Sequence, residues 1–243
     1  MNRERQRADL FLVEQGHFES RARAQAAIRA GRVRVDGRVL GRASETIPPG
    51  ALVEAEPEHP FASRGGLKLA AALEAFGIDP SGLPCLDVGA STGGFTDVLL
   101  SRGASLVHAV DVGREQLHPR LRGDARVRSL EGVDIRSLGI LDPVPKLASI
   151  DVSFISLRLV LPAVLPLLAP GATLAALIKP QFEAGRERVG RGGIVRDPLI
   201  HAEVCETVRA LLEASGAAIL GLVPSPVEGG DGNTEFLIGA KLP

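Results

Sequence analysis

The sequence predicts a mostly parallel, doubly wound α/β sheet preceded by a small α+β domain. After residue 63, short apolar runs alternate with helical patterns, as in the βα units of a parallel sheet. A glycine-rich turn joins the first of these runs to the helix that follows it. The first 58 residues differ, because they combine two short helical patterns, a hairpin turn and many arginines. We therefore predict a domain over residues 1–58, a linker over 59–62 and a second domain over 63–243.

The charge of the chain is unevenly distributed. The formal net charge is only −1, yet residues 1–42 hold ten arginines against five acidic residues. A basic segment on a mildly acidic body indicates an anionic partner for that segment. A solvated arginine face without a partner is the alternative.

Cysteine content and hydropathy argue against several classes of protein. Two cysteines without a CxxC pair do not suit a disulfide framework or a structural zinc site, and they fit a reducing cytosol. The longest apolar stretch, near residues 157–169, is too short to cross a bilayer and contains Arg158, Pro162 and Pro166. We therefore expect a cytoplasmic protein that needs neither a membrane nor a metal.

The first domain is predicted to contain two helices and three short strands. Ser20 is a suitable N-cap for the second helix, and Asp36-Gly37 suits the tight turn of a hairpin. The helices are predicted over residues 8–14 and 21–30, and the strands over 33–35, 38–40 and 51–54.

The second domain supplies the elements of the predicted sheet. Its helices are predicted over residues 70–76, 95–100, 157–168 and 198–215. Its strands are predicted over 85–88, 106–111, 127–130, 147–151, 173–178, 218–223 and 235–240. The last two strands form an antiparallel pair, and the others alternate with helices as in a parallel sheet.

The turn after the first strand of this domain has the composition of a ligand site. Gly89 and Gly94 carry no Cβ, so the backbone there can approach a ligand closely. The N–H groups of the turn and the dipole of the following helix favour a carboxylate or a phosphate. Asp111 ends the next strand, where an acid commonly binds ribose hydroxyls. These residues predict a nucleotide-like ligand, with a purely structural turn as the alternative.

Further polar residues follow the predicted strands and are expected at one edge of the sheet. Glu235 begins the last strand, and an antiparallel direction brings it to the same edge. The residues at the carboxyl ends of the other strands are Asp87, Asp111, Asp134, Asp151 and Lys179.

Lysine is scarce in this chain, which has four lysines against 24 arginines. A buried lysine can exchange a proton near neutral pH, whereas a guanidinium effectively cannot. Lys68 and Lys179 are therefore candidates for a chemical role, and a solvated lysine is the alternative at each position.

The segment over residues 181–197 is long, glycine-rich and basic, with four arginines. A loop of this length at the carboxyl edge of a sheet is predicted to be a phosphate-contacting lid, with a mobile surface loop as the alternative. Phe154 and Phe182 are candidates to stack on a base, and core packing is their alternative.

Several segments of the chain resemble known families. The run SRARAQAAIRAGRVRVDG at residues 20–37 resembles the S4 RNA-binding domain. Nearly the whole chain resembles the TlyA (hemolysin A) family of S4-domain, FtsJ-like RNA 2′-O-methyltransferases. The segments that carry this second resemblance are SRGGLKL at 63–69, LDVGASTGGFT at 86–96, DVG at 111–113, DVSFISL at 151–157, IKPQFE at 178–183 and GNTEF at 232–236.

The resemblance implies a Rossmann-like methyltransferase domain that uses S-adenosyl-L-methionine (SAM), preceded by an S4-like RNA-binding domain. The family's Lys-Asp-Lys-Glu tetrad falls on Lys68, Asp151, Lys179 and Glu235. Asp111 is implied at the ribose and Asp134 near the adenine, and the full set of implied SAM contacts is Asp87, Gly89, Ala90, Ser91, Gly93, Gly94, Phe95, Asp111, Val112 and Asp134. The candidate RNA contacts are Arg5, Arg7, Arg21, Arg23, Arg32, Arg34, Arg64, Arg186 and Arg188.

The same resemblance implies methylation of a ribose 2′-hydroxyl, with cytidine in ribosomal RNA as the target. The expected partner is ribosomal RNA or a ribosomal subunit, and the oligomeric state stays open between a monomer and a weak dimer. Three alternatives remain: a membrane-active hemolysin, as the family's older name suggests, a nucleotide-dependent dehydrogenase with the same fold, and an RNA-binding protein with an inactive methyltransferase domain.

Overall fold

The structure is a computed structural model that describes residues 6–229 and 232–243. The candidate RNA contact Arg5 lies outside the described residues. The chain divides into two compact units, Met1–Pro60 and Phe61–Pro243, which are treated separately below.

The first unit packs two helices and short antiparallel strands around one apolar core. Its elements are β1 (Gln6–Arg7), α1 (Ala8–Glu14), α2 (Arg21–Arg29), β2 (Val33–Val35), β3 (Arg38–Val39), β4 (Thr46–Ile47) and β5 (Val53–Ala55). The central strand β2 pairs with β3 and β5, and β1 pairs with β4. The Ser20 hydroxyl caps α2 by accepting a hydrogen bond from the N–H of Arg23, as the sequence predicts. Leu12, Ile28 and Ile47 are among the side chains buried in the core.

The second unit alternates helices and strands and ends in two consecutive strands. Its helices are α3 (Gly65–Phe76), α4 (Gly94–Ser101), α5 (Pro119–Arg122), α6 (Leu157–Val164), α7 (Pro180–Glu183) and α8 (Pro198–Ala214). Its strands are β6 (Pro84–Val88), β7 (Leu106–Asp111), β8 (Val127–Glu131), β9 (Leu147–Ile150), β10 (Thr173–Ile178), β11 (Ala218–Pro224) and β12 (Phe236–Lys241).

Seven strands form one sheet in the order β11-β12-β10-β9-β6-β7-β8. The five strands from β10 to β8 are mutually parallel, whereas β12 runs antiparallel to both of its neighbours. Apolar clusters cover both faces of the sheet, which explains why its central strands are nearly continuous apolar runs. The predicted mostly parallel α/β sheet is therefore confirmed.

The strand order reverses between β6 and β9. The chain leaves β6 towards β7 on one side and reaches β9 on the other side only after β8. Ligands of open α/β sheets bind outside the carboxyl ends of the strands at such a reversal. This topology places the residues after β6 and after β9 beside each other.

Two elements differ from their predicted bounds because of local backbone chemistry. The helix predicted over 157–168 ends at Val164, and the chain continues as a 3₁₀ turn over Leu165–Leu167. Pro166 has no N–H to donate to the carbonyl four residues earlier, which favours the end of the α-helix there, although α6 does accommodate Pro162. The predicted loop over 181–197 also contains structure, namely most of α7 and a 3₁₀ turn over Arg186–Arg188.

Candidate active site

A cavity of about 470 Å³ opens at the point where the strand order reverses. Its size is in the range of pockets that hold a small ligand. Its walls come from the start of α3, the turn after β6, the segment after β9, the end of β10 and the segment before β12. The lining residues are Ser63, Arg64, Gly65, Lys68, Gly89, Ala90, Ser91, Thr92, Gly94, Phe95, Asp151, Ser153, Lys179, Val227 and Glu228.

The glycine-rich turn after β6 forms the floor of this cavity. At Gly89, where φ is +83°, a Cβ would lie 2.2 Å from the carbonyl oxygen of Asp151. At Gly94 a Cβ would lie 2.3 Å from Oγ of Ser63. Only glycine fits both positions without displacing a neighbour. No side chain caps the first turn of α4, so its N–H groups stay directed at the turn. Backbone N–H groups that converge in this way suit an anionic ligand group.

Asp111 holds the turn from its outer side. One carboxylate oxygen accepts a hydrogen bond from the N–H of Ser91 at 2.8 Å, and the other accepts one from the N–H of Gly113 at 2.7 Å. Val112 is exposed next to it. Neither Asp111 nor Val112 lines the cavity itself. Both lie at its outer margin, on the end of β7 and the residue that follows.

Asp87 occupies a position different from the one implied by the family resemblance. Its side chain is fully buried in β6, where one carboxylate oxygen accepts from Thr96 Oγ1 at 2.6 Å and the other from Ser149 Oγ at 3.1 Å. Burial raises the pKa of Asp87 to about 7, although both hydroxyl hydrogen bonds oppose that shift. Asp87 thus supports the turn from inside the core and does not reach the cavity wall.

Two other implied SAM contacts also lie away from the cavity. Gly93 packs against Leu117 and Leu121, where a Cβ would lie 2.3 Å from a methyl carbon of Leu121. Asp134 caps the 3₁₀ turn over Ile135–Ser137. Hydrogen bonds from Arg136 lower the pKa of Asp134 to about 2. Both residues therefore have a clear local structural role in this structure.

The four tetrad candidates form two lysine–carboxylate pairs. Lys68 Nζ donates a hydrogen bond to Glu235 Oε2, and both side chains are buried. Lys179 Nζ lies 2.6 Å from Asp151 Oδ1 and donates to Ser153 Oγ at 2.9 Å. Only 12% of the Lys179 side chain and 20% of the Asp151 side chain are exposed. Because each cation faces one anion, the four charges are balanced at a site with little water.

The register of β10 and β12 explains how two of these residues come together. Ile178 pairs with Phe236 in the antiparallel ladder. Lys179 directly follows Ile178, and Glu235 directly precedes Phe236, so both lie at the same end of this strand pair. Lys68 reaches this edge from the first turns of α3.

Phe154, which follows the lining residue Ser153, has an unusual conformation. It adopts a φ of +64° and has 91% of its surface exposed. Its ring centroid lies 5.0 Å from that of Phe182, with an angle of 47° between the rings. A large apolar side chain held in the left-handed region and left exposed carries a conformational cost that core packing does not explain.

Several candidate RNA contacts already have protein partners. Buried Asp9 accepts hydrogen bonds from Arg7, Arg21 and Gln25, and the hydrogen bond from Arg7 contributes most to keeping the pKa of Asp9 far below its usual range. Arg188 forms two hydrogen bonds of 2.7 Å with Glu203.

The remaining candidates differ in exposure. Arg64 lines the cavity, whereas Arg34 and Arg186 are exposed. Arg32 lies 3.5 Å from Glu56, and Arg23 lies 4.0 Å from Glu19. A role for any of these arginines in RNA binding stays a prediction.

Six lining residues were absent from the predicted set. Ser63, Gly65, Thr92 and Ser153 belong to the very segments on which the family resemblance rests, so their motifs could have indicated them. Val227 and Glu228 lie between β11 and β12, in a segment whose sequence shows no recognisable pattern.

The described residues contain neither a helix that could cross a bilayer nor a side-chain cluster that could hold a metal ion. Within residues 6–229 and 232–243, no helix has both the length and the apolar character that a bilayer crossing requires. The same ranges contain no group of three or more His, Cys, Asp or Glu side chains placed to hold a metal ion.

Comparison with known proteins gives two family matches. Residues 61–242 match the FtsJ-like methyltransferase family, and residues 6–53 match the S4 domain. Solved structures with much lower identity share the same fold, among them a SAM-dependent methyltransferase from Mesorhizobium loti with a TM-score of 0.52 and 22% identity. The match of residues 61–242 to the FtsJ-like methyltransferase family leaves no support for the dehydrogenase alternative.

Individual relatives cover almost all of the chain. The 16S/23S rRNA (cytidine-2′-O)-methyltransferase TlyA of Mycobacterium tuberculosis is 42% identical over 96% of this chain and 89% of its own length. Hemolysin A of Brachyspira hyodysenteriae is 38% identical over 95% of this chain and 98% of its own length. A solved structure from Streptococcus thermophilus, described as a hemolysin, superposes with a TM-score of 0.75 at 45% identity, covering 98% of this chain and 88% of that one. This chain therefore belongs to the FtsJ-like methyltransferase family and carries an S4 domain at its N-terminal end.

Proposed function

We propose that this protein is a cytoplasmic, SAM-dependent methyltransferase that modifies the ribose 2′-hydroxyl of a cytidine in ribosomal RNA. The observation that carries the proposal is the pairing of Lys68 with Glu235 and of Lys179 with Asp151 around the glycine-rich turn. The names of the relatives support the choice of substrate, since the TlyA protein of Mycobacterium tuberculosis is an rRNA (cytidine-2′-O)-methyltransferase.

The residues around the turn fit SAM. When bound, SAM supplies a methyl group on a positively charged sulfonium. The N–H groups of the turn and of the first turn of α4 would bind its carboxylate, and Asp111 at the outer margin would accept from its ribose hydroxyls. The Asp151 carboxylate on the cavity wall complements the sulfonium charge. Gly89 lets the turn pack directly against the backbone of Asp151, because its position has no room for a Cβ.

The lysine pairs give the site a way to activate a hydroxyl. A ribose 2′-hydroxyl is a poor nucleophile and must lose its proton as it attacks. Lys179 Nζ lines the cavity, so in this proposal it orients the hydroxyl and, once the paired Asp151 carboxylate has taken one of its ammonium protons, receives the proton of the hydroxyl. Asp151 and Ser153 fix the position of Nζ at 2.6 and 2.9 Å. Lys68 and Glu235 form the second pair at the same edge of the sheet and contribute one positive and one negative charge to the site.

Phe154 is proposed to hold the target base. It lies one residue after Ser153, which contacts Lys179, and its side chain is almost fully exposed. RNA-modifying enzymes commonly stack a splayed-out base on an aromatic ring. Phe182 packs against Phe154 and limits the movement of its ring.

A direct assay tests the function. Purified ribosomal subunits are incubated with methyl-labelled SAM, and the label is located by nuclease digestion and mass spectrometry. We expect label on a ribose 2′-oxygen, and we expect Lys179→Ala to reduce its rate of formation by at least about 100-fold. SAM binding by this variant, measured by equilibrium dialysis, should stay within about threefold of the wild type because Lys179 does not belong to the turn.

Lys146→Ala is the matched control, since Lys146 is exposed and lies at the start of β9, at the opposite end of that strand from Asp151. It should methylate at the wild-type rate. Unlabelled RNA in the wild-type reaction, or equal rates for Lys179→Ala and the wild type, would contradict the proposal.

A further inference from the structure

The arginine-rich loop between α7 and α8 is fastened to the segment that carries Glu235. Asn233 lies two residues before Glu235 and is 1% exposed. Its Oδ1 accepts a hydrogen bond from the N–H of Val195 at 3.0 Å, and its Nδ2 donates to the carbonyl oxygen of Gly193 at 3.0 Å. A single buried amide therefore binds two backbone groups of the loop.

The backbone around Asn233 is itself tied to Glu235 and to the cavity wall. The carbonyl oxygen of Asn233 accepts from the N–H of Gly229 at 2.9 Å. A Cβ on Gly229 would lie 2.6 Å from Glu235 Oε1, so the Gly229 backbone packs directly against that carboxylate. Val227 and Glu228, which precede Gly229, line the cavity. Asn233 thus joins the loop to one member of a tetrad pair and to one wall of the site.

Two further contacts hold the loop against α8 and leave its other arginines outward. His201 Nε2 lies 2.9 Å from the carbonyl oxygen of Val195, and Arg188 pairs with Glu203. Arg186, Arg191 and Arg196 are exposed. A loop with these anchors presents its exposed arginines from a defined position, which supports the predicted phosphate-contacting role over the alternative of a mobile surface loop.

We propose that Asn233 is a positioning residue that couples the arginine-rich loop to Glu235. RNA bound by the loop is thereby positioned correctly relative to the four tetrad residues. This inference rests on the proposed function. The exposed arginines contact RNA phosphates, and the two amide hydrogen bonds transmit the position of the loop to the segment over residues 225–235. Leaving these backbone groups unpaired would release the loop without removing any arginine.

Asn233→Ala tests this coupling with three measurements on the full chain. Trypsin cleavage after Arg191, followed by mass spectrometry, reports release of the loop and should become at least about tenfold faster. Binding of a ribosomal RNA fragment should weaken about three- to tenfold. The single-turnover methylation rate at saturating RNA should fall about tenfold or more, while SAM binding stays within about twofold. A purely structural role would instead change SAM binding and melting temperature together with the rate.

Thr234→Ala is the matched control, because Thr234 is the exposed neighbour of Asn233 in the same segment. It should behave as the wild type in all three measurements. If Asn233→Ala folds poorly, Asn233→Asp replaces it: this variant keeps the size and the acceptor for Val195 but loses the donor to Gly193. Its expected changes have the same direction.

Each outcome decides the inference. Unchanged cleavage after Arg191 would show that Asn233 does not hold the loop, and faster cleavage with unchanged RNA binding and methylation would show that the loop is not coupled to the site. If the wild-type protein methylates no RNA, the proposed function fails, yet the cleavage and RNA-binding measurements still decide the role of Asn233.

Discussion

The buried carboxylate of Asp87 supports the candidate site but lowers the stability of the folded protein when it is ionised. Asp87 lies under the glycine-rich turn, and its oxygens bind the hydroxyls of Thr96 and Ser149. Neither partner carries a charge, so their hydrogen bonds offset only part of the loss of hydration that the ionised form suffers. The hydrogen bonds connect β6 with α4 and β9, which are the elements that present the turn and Asp151. The turn is thus held from below by a group that is costly to ionise.

This conflict predicts a pH-dependent effect of Asp87→Asn. The pKa of Asp87 is raised to about 7, whereas an aspartate in the unfolded chain titrates near 4. Between those values the folded state binds more protons than the unfolded state, so Asp87 lowers stability as the pH rises. The asparagine variant keeps both hydroxyl partners and has no such dependence. Relative to the wild type it should gain about 1.4 kcal/mol per pH unit over this window, reaching about 4 kcal/mol near pH 7.

Urea unfolding at pH 4.5, 6 and 8 measures this difference. Asp79→Asn is a suitable control, because Asp79 lies in the exposed turn before β6 and accepts a hydrogen bond from the N–H of Ser81. Because Asp79 is exposed, this substitution should change the free energy of unfolding by no more than about 0.5 kcal/mol. A difference for Asp87→Asn that is constant from pH 4.5 to 8 would rule out a raised pKa as the cause.

At the scale of elements, the sequence predicts long apolar strands well and short elements poorly. The runs over 106–111 and 173–178 match the observed β7 and β10, because nearly every residue in them is buried. The two-residue strands β1 and β4 and the four-residue helix α5 carry no period long enough to detect. Their positions depend on tertiary contacts, such as Leu121 of α5 packing against Gly93.

The residues of the candidate site also divide into those that the sequence predicts and those that it does not. Residues at strand ends, such as Asp151 and Lys179, could be identified from the pattern alone, because parallel strands end at one edge. The pairing of Lys68 with Glu235 joins residues 167 positions apart and requires the register of β12. The two hydrogen bonds that join Asn233 to the loop between α7 and α8 could not be predicted either, because one buried amide in a polar segment leaves no periodic signal.

The turn between β6 and α4 gives a prediction at this scale. Gly89→Ala places a Cβ 2.2 Å from the carbonyl oxygen of Asp151 at a φ of +83°, so either the turn or the end of β9 must shift. We expect SAM binding to weaken at least about tenfold and the free energy of unfolding to fall by about 2–4 kcal/mol. Gly82→Ala is the matched control, because its φ is +70° but no atom lies within 4 Å of its Cβ position.

The control isolates the cost of the backbone conformation alone, about 1–2 kcal/mol, and should leave SAM binding unchanged. Equilibrium dialysis with labelled SAM and urea unfolding give both quantities for each variant. Equal losses in the two variants would mean that the close approach to Asp151 is unimportant.

At the scale of the whole molecule, the main feature is the separation of charge. Eight of the ten arginines within residues 1–42 belong to the part of the chain that matches the S4 domain, residues 6–53, while residues 43–243 are acidic overall. A protein that binds RNA through such a segment releases counterions from the phosphates, so its affinity falls steeply with salt. SAM has little net charge, and its binding inside a cavity should depend only weakly on salt. A salt titration can therefore distinguish the binding of RNA from the binding of SAM.

We expect the logarithm of the RNA binding constant to fall linearly with the logarithm of the salt concentration, and the SAM binding constant to stay nearly constant. Arg34→Gln should reduce the magnitude of the RNA slope by about one, because Arg34 is exposed on β2 and donates only to the carbonyl oxygen of Gly37 among the described residues. Arg209→Gln removes an exposed arginine of α8 that pairs with Glu206 and should leave the slope unchanged. Filter binding of a ribosomal RNA fragment between about 50 and 200 mM salt measures both slopes. If both variants reduce the slope equally, RNA binding reflects the overall charge of the protein and not a dedicated surface of the N-terminal unit.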